Sequence, residues 1–304
     1  MQNLLRRLLF AILTVWGAAT LAFFALAVLP GDAIESQLTQ NGADSALIQE
    51  RRAALGLTDP VIVRYLRFVA HVAQGDLGSS LLSGEPVRDA IVRSLGPTVQ
   101  LALSALVIGS SFGILLGVVT ARESGLLAFG ARVITALALS TPIYWTGTIA
   151  IYVFTARLGL LPSAGAGRFS QLILPATILG FHTAAAIARV VQANVRDIAA
   201  APYVRTARAK GLGELRILLA HVLRVALLPV IGIIALQAGF LLNGTVITES
   251  LFVRPGVGRL LLEATVQQDY PVVLGVVILA ALVYTGVNAA ADLVYQLLDP
   301  RVSL

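Results

Sequence analysis

The 304-residue sequence contains no cysteine, which excludes structural disulfides, thiolate metal sites and cysteine nucleophiles together. Charge is scarce too. Only 12% of residues are Asp, Glu, Lys or Arg, well below the roughly 25% of soluble domains. The three histidines, His71, His182 and His221, are scattered and lack metal-ligand spacing. No G-x-x-x-x-G-K-[ST] phosphate loop occurs, so nothing here cradles a nucleotide in that way. A Ser/His/Asp set, an HExxH motif and paired inward carboxylates are equally missing, which argues against an intramembrane enzyme.

What is present is apolar. Hydrophobic residues make up 57% of the chain and the mean hydropathy is +0.86. About 20 apolar residues cross a hydrocarbon core of roughly 30 Å. On that length the sequence predicts an all-α membrane protein with about six spans, near Leu8–Leu29, Thr98–Thr120, Val133–Thr155, Leu172–Val191, Val225–Ile247 and Val272–Leu297. Arg6 and Arg7 precede the first span and place the N-terminus inside. A cleaved signal peptide is the alternative, because Ala25–Ala27 reads as a cleavage site, but the apolar run exceeds a signal h-region. Residues 1–29 then form the first transmembrane helix, 30–97 an extracytoplasmic segment, and 98–298 the core, with a cytoplasmic loop at 192–224. Both termini lie inside.

The net charge of +6 resides almost wholly in Arg. In a soluble protein that surplus suggests nucleic acid; here it marks cytoplasmic loops beside anionic headgroups, and no nucleic-acid partner is expected. The loop at 192–224 carries Arg196, Arg205, Arg208, Lys210, Arg216 and Arg224 against Asp197 and Glu214. The outer segment also holds six Arg, balanced by eight acids, and segments beyond about 60 residues translocate largely regardless of charge.

Within the outer segment, Val61–Val72 places Ile62, Tyr65, Leu66 and Val69 on one face of an interfacial or docked amphipathic helix. It serves either as a docking surface for a soluble partner or as a cap over helix ends. In the second span Gly109, Gly113 and Gly117 recur every four residues, a doubled small-xxx-small pattern that admits a close helix neighbour. Pro142, Pro175 and Pro229 break or kink helices. Ionisable residues at depth are few. Glu249 and Arg189 sit at span ends, and Asp292, near Asn288 and Tyr295, reads as a structural partner more than a proton carrier. The scarcity of mid-membrane acids argues against a proton-driven secondary carrier.

The remaining clue is the loop from Asp197 to Arg224. Pro202 opens a short helix as a favourable first-turn residue, Gly211 and Gly213 interrupt it, and an amphipathic stretch leads back to the membrane. A helix–Gly–helix finger presents Arg205, Arg208 and Lys210. By residue physics alone it is either a docking finger or an anchor on anionic lipid.

The run YVRTARAKGL (Tyr203–Leu212), followed by His221–Pro229 as HVLRVALLP, resembles the cytoplasmic EAA loop of ABC-importer permeases in its dipeptide/oligopeptide (peptide/nickel) form. Arg205-Thr206-Ala207 stands where the generic motif has Glu-Ala-Ala. The segments STPIYWTG, LGLLPSAG, LILPATILG, ESLFVRPGVGRLL, QQDYPVV and LLDPR resemble that family in the same order, and the long first outer segment resembles the first of its two permease subunits. The resemblance implies the type I ABC-importer permease fold and half of a translocation pathway for di- and oligopeptides. It also implies a second homologous permease, two cytoplasmic ATPase domains that bind ATP and Mg, and an extracytoplasmic binding protein. No cofactor is expected in this chain. Arg205, Thr206, Ala207, Arg208, Ala209, Lys210, Gly211 and Leu212 would form the ATPase-coupling helix. Within it Ala207 and Ala209 would allow close approach, and Arg205, Arg208 and Lys210 would meet acids or helix C-termini. Nickel, glutathione and haem permeases of the same family are alternatives for the substrate.

Overall fold

The computed structural model describes residues 2–29, 31–40, 42–121 and 125–298. Among them no strand forms beyond an isolated bridge between Ser79 and Pro86. The helices run in the order α1 (Gln2–Val28), α2 (Ala33–Gln40), α3 (Ser45–Ala54), α4 (Val61–Ala73), α5 (Val87–Thr120), α6 (Leu126–Ser140) and α7 (Ile143–Ala150). A π-helical segment at Ile151–Arg157 extends α7. Then come α8 (Ser170–Ala199), α9 (Pro202–Ala209), α10 (Glu214–Ile217), a second π segment (Leu218–Val222), α11 (Leu223–Ala226), α12 (Leu228–Gly244), α13 (Val246–Leu251), α14 (Val257–Val266) and α15 (Tyr270–Leu298). Four helices are long and apolar enough to cross a membrane, and up to six spans result if each bent pair counts as one.

Those bent pairs correct two expected spans. Val133–Thr155 is not one helix: α6 and the α7 segment meet at 109°. Val225–Ile247 is bent by 54° at Leu227, just before Pro229, and its last residues belong to α13. Pro175 lies inside α8 without ending it. The second span begins earlier than expected, at Val87. Its 34 residues reach about 51 Å at 1.5 Å per residue, well beyond a bilayer core. The side chains of Asp292 and Tyr295 lie outside the described residues.

Packing groups the chain into two units, residues 1–98 with 255–285 and residues 99–254 with 286–304. In the first, α4 docks on α1 through aromatic rings. Phe23 stacks on Phe68 with centroids 5.4 Å apart and meets Tyr65 edge-on at 5.4 Å, and the Tyr65 and Thr20 hydroxyls share a hydrogen bond of 2.9 Å. The inward face of α4 is therefore Tyr65, Phe68, Val69 and Val72. Ile62 and Leu66, expected on that face, are 59% and 61% exposed, because the aromatic anchors rotate the helix. The unit's core gathers Val87, Ile91, Val257, Val272, Val273 and Val276. Polar ties fix its loops: Ser80 and the Leu81 amide donate to Asp269, Arg52 pairs with Asp32, and the Val257 amide donates to the Thr98 hydroxyl at 2.8 Å.

The second unit is built on α8, whose buried stripe is Leu172, Ala176, Leu179, Gly180, Thr183, Ala184, Ile187, Ala188 and Val191. Opposite it lie Gly109, Gly113 and Gly117 of α5. A Cβ on Gly109 would meet Thr183 at 2.7 Å, one on Gly113 the Ala184 carbonyl oxygen at 2.8 Å, and one on Gly117 the Val191 Cβ at 2.5 Å. The closeness is reciprocal, since a Cβ on Gly180 would meet Ile108 at 2.7 Å. Glycine on one side, receiving side chains and carbonyls of the other, gives the contact area that drives helix association where water supplies no hydrophobic force.

The break between α6 and α7 has a definite chemistry. Thr141 precedes a proline and is extended (φ −91°, ψ 137°), as the Pro ring demands. Pro142 has no N–H, so the Ala138 carbonyl four residues earlier loses its helical donor. His182 of α8 supplies one: its Nδ1 lies 2.8 Å from that oxygen, and because a carbonyl only accepts, Nδ1 carries the proton. Its Nε2 faces the Thr146 hydroxyl of α7 at 2.8 Å. One imidazole thus touches both sides of the bend, a role that its lone position in the sequence did not reveal.

Gly117→Val is expected to force α5 and α8 apart, since its Cβ meets a side chain and the Ala188 carbonyl, at 2.8 Å, that cannot both move. Overpacking costs about 1–3 kcal/mol, read as a lower melting temperature and yield of the purified protein. Gly130→Ala, where a Cβ meets nothing within 4 Å, should leave both unchanged or raise them. Equal behaviour of the two variants would show that the seam contributes nothing.

Candidate functional site

The basic loop is a finger with a defined inside and outside. Ala201 is extended (φ −62°, ψ 147°) and Pro202 opens α9. A period of 3.6 then puts Val204 and Ala207 on the inner face, 0% and 7% exposed. There they join Ile187, Val191, Val195, Ile217, Val222, Ala226 and Val230 in one apolar cluster. Leu212 packs at its edge. Arg205, Thr206, Arg208, Ala209, Lys210 and Gly211 are exposed. The finger is thus bolted to the same helix, α8, that forms the glycine seam.

Two of the eight residues expected to meet a partner point elsewhere. Ala207 does not offer close approach from outside; three residues after Val204, it fills the finger's own core. Leu212 is half-buried for a related reason. The stretch Ala207-Arg208-Ala209-Lys210-Gly211-Leu212 ends α9 in a Schellman turn: the Leu212 amide donates to the Ala207 carbonyl at 3.3 Å and the Gly211 amide to Arg208 at 2.9 Å. Gly211 has φ +78°, a left-handed geometry that costs other residues about 1–2 kcal/mol. The turn sends the chain into α10 and lays Leu212 against the cluster.

Arg208 is also committed within the chain. Its Nε donates to Glu214 Oε1 at 2.9 Å and its Nη2 to Oε2 at 3.4 Å. Its Nη1 donates to the Ala199 carbonyl at 3.3 Å, at the C-terminal end of α8 where positive charge is favoured. One guanidinium ties α8, α9 and α10 together. The Tyr203 hydroxyl donates to the His221 carbonyl at 3.3 Å, closing the far side. Arg196 reaches back to the Thr120 carbonyl that ends α5, at 3.2 Å, and to the Ala121 carbonyl just after it, at 3.4 Å. By contrast, Arg205 and Lys210 make no side-chain hydrogen bond or ion pair among the described residues. With Thr206 and Ala209 they form an outward face of two uncommitted cations.

Glu249 and Arg254, both 0% exposed, form a second polar centre. Arg254 Nη1 donates to the carbonyls of Gly165 and Gln171, each at 3.2 Å, and Nη2 to Gln100 Oε1 at 3.3 Å. Glu249 Oε1 accepts from the Thr245 hydroxyl at 2.9 Å. Burial pulls the Arg254 guanidinium down from its usual range while the Glu249 charge holds it up. This is a structural knot between loops, with every named donor spent on the chain itself. Among the described residues no group of His, Cys, Asp or Glu could hold a metal ion.

Residues 113–304 match the family described as "Binding-protein-dependent transport system inner membrane component". The chain is 35% identical to the di/tripeptide transport system permease protein DppB of Pseudomonas aeruginosa, covering 98% of this chain and 97% of that protein. It is 35% identical to the glutathione transport system permease protein GsiC of Escherichia coli, covering 99% of each. Among solved structures it is similar to an amino acid ABC transporter crystallised with histidines, with TM-score 0.54 and 16% identity over 71% of this chain and 95% of that one. The inward-facing MetNI methionine ABC transporter gives TM-score 0.53 and 19% identity over 68% and 95%. Those two likenesses concern the fold.

If Arg208 and Glu214 serve as an internal clamp, Arg208→Glu should loosen the finger, raising hydrogen exchange across residues 202–217. The double exchange Arg208→Glu with Glu214→Arg should restore protection toward the original level. A charge-assisted pair contributes about 1.5–3 kcal/mol when well formed, discounted here because both side chains are substantially exposed. Undiminished protection in the single variant would show that Arg208 holds nothing together.

Proposed function

We propose a short-peptide importer from this premise: the chain belongs to the binding-protein-dependent transport inner membrane component family and is the permease subunit of an ABC importer. The observation that carries the substrate class is the full-length likeness to two permeases named for di- and tripeptides and for glutathione, itself a tripeptide. In this reading the chain pairs with a second, homologous permease to enclose the pathway. Two cytoplasmic ATPase subunits bind and hydrolyse ATP with Mg, and an extracytoplasmic binding protein hands over the peptide. The finger and both termini face the cytoplasm, in keeping with the Arg excess of residues 192–224.

The finger's geometry supports a coupling role. Its outward face carries Arg205, Thr206, Ala209 and Lys210, two of them uncommitted cations suited to an acidic groove on an ATPase. Its inward face is packed on α8, and Arg208 locks it to the Ala199 carbonyl. A displacement of the ATPase surface is therefore passed to α8 rather than absorbed in a flexible loop. Through the glycine seam α8 carries α5 with it. Arg208 acts here as a positioning residue, and Arg205 and Lys210 as the contacts.

Gly211→Val should impair uptake in reconstituted vesicles, because a β-branched residue resists φ +78° and the turn re-aims the finger. The variant should still insert and assemble, while peptide-stimulated ATP hydrolysis and uptake fall together and basal hydrolysis falls less. Full uptake by this variant would remove the coupling role. In the Cys-free background, a Cys at exposed Ser45 should react with an impermeant reagent in intact cells, and a Cys at Ala209 only after permeabilisation. Labelling of Ala209 from outside would reverse the proposed orientation.

A further inference from the structure

We propose that the cavity beneath α4 binds an anionic phospholipid, with its phosphate on Arg64 and a hydrocarbon segment in the apolar chamber. The inference concerns the membrane-embedded chain as such and is independent of which substrate it carries.

The cavity measures about 180 Å³ and is partly open to the surface, room for a short hydrocarbon segment that can enter from outside. Phe23 and Leu26 of α1, Phe68 of α4, Leu77, and Leu274 of α15 supply its apolar walls. Such a lining favours hydrocarbon over water. Its polar rim is less ordinary. Arg67 lies there but is held by Asp59 at 2.7 Å. The Asp76 carboxylate accepts from the Gly78 amide at 2.8 Å, and His71 is exposed. Arg64 is half-buried and lines the same cavity, yet no acid lies within ion-pair distance of it among the described residues. A partly desolvated guanidinium beside an apolar chamber fits a ligand with an anionic head and a hydrocarbon body.

Location selects the phospholipid. The cavity wall is the end of α1 remote from Arg6, where Leu21 and Val28 on the helix's outer side are 74% and 85% exposed. Helix α4 lies across that end with Ile62 and Leu66 turned outward. An amphipathic helix with apolar residues on its free side rests at the headgroup boundary. That puts Arg64 at phosphate depth and the chamber at the level of the first methylenes. An acidic side chain or a peptide carboxylate would satisfy Arg64 but leave the chamber empty.

The test uses the purified, assembled complex in detergent after delipidation. A photoactivatable phosphatidylglycerol carrying its reactive group on the acyl chain should form adducts mapping to the segments around Phe23–Leu26, Phe68, Leu77 and Leu274. Phosphatidylglycerol should compete for labelling, while phosphatidylcholine and inorganic phosphate should not. Arg64→Gln should weaken competition by about tenfold, the expected size for losing one charge-assisted contact. Leu77→Trp, which narrows the chamber and leaves Arg64 in place, should also reduce labelling there. The wild-type map needs no variant, so a misfolded substitution cannot obscure the outcome. Adducts confined to other surfaces would overturn the proposal. So would equal competition by phosphatidylcholine, which denies the charge preference, or by inorganic phosphate, which makes the site a simple anion site.

Discussion

The backbone of α5 comes so near to α8 that at three successive turns a single methyl group would collide with side chain or carbonyl. That contact sets the position of α8, and α8 carries most of what is distinctive in its unit. Its middle presents His182 to the broken α6–α7 pair, its lower half is the wall on which the finger is built, and its last carbonyl is held by Arg208. Widening the seam would displace all three. A membrane protein cannot rely on water to press its helices together, so it relies on fit, and here bare glycine backbone on α5 receives the Thr183, Ile187 and Val191 side chains and the carbonyls of α8.

Several polar side chains are spent on the chain's own backbone: His182 on a carbonyl that Pro142 orphaned, Arg254 on two loop carbonyls, the exposed Arg196 on the end of α5, Asp269 on the Leu81 amide. Other charged side chains make no ion pair within the described residues, among them Arg205 and Lys210 on the finger and Arg64 at the cavity under α4. A buried charge without partners is costly, while an exposed one can wait for a partner at little cost.

Much of the architecture was legible in the sequence because it depends on local rules. The approximate places of the spans follow from apolar runs, though not their lengths or breaks, the glycine seam from a four-residue period, and the finger's stop from Lys210-Gly211-Leu212 after an Ala-rich helix. What escaped depends on contacts between distant segments. Nothing in the Val61–Val72 run says that Phe23 will capture Phe68 and so turn Ile62 and Leu66 outward. Pro142 announces a break but not 109°, since the angle is set by where α8 offers a donor. Arg208 and Lys210 look alike in sequence; only the return of the chain at Gly211, which brings Glu214 alongside, makes one a clamp and leaves the other free. Ala207 looked like a contact residue because its motif sits on the loop, yet helical phase relative to Val204 assigns it to the interior.

The clamp on the finger has a mechanical meaning. A loop fastened at one end bends under load, and the work is lost in its own flexing. This one is fastened at Ala199, at Glu214 and at the His221 carbonyl, with Val204 and Ala207 keyed into the cluster beneath. It is a short strut braced at several points, so a load at its tip would reach α8 with less lost to bending than in a loop held at one end. Stiffness of that kind sets how small a movement on one side of the joint can still be felt on the other.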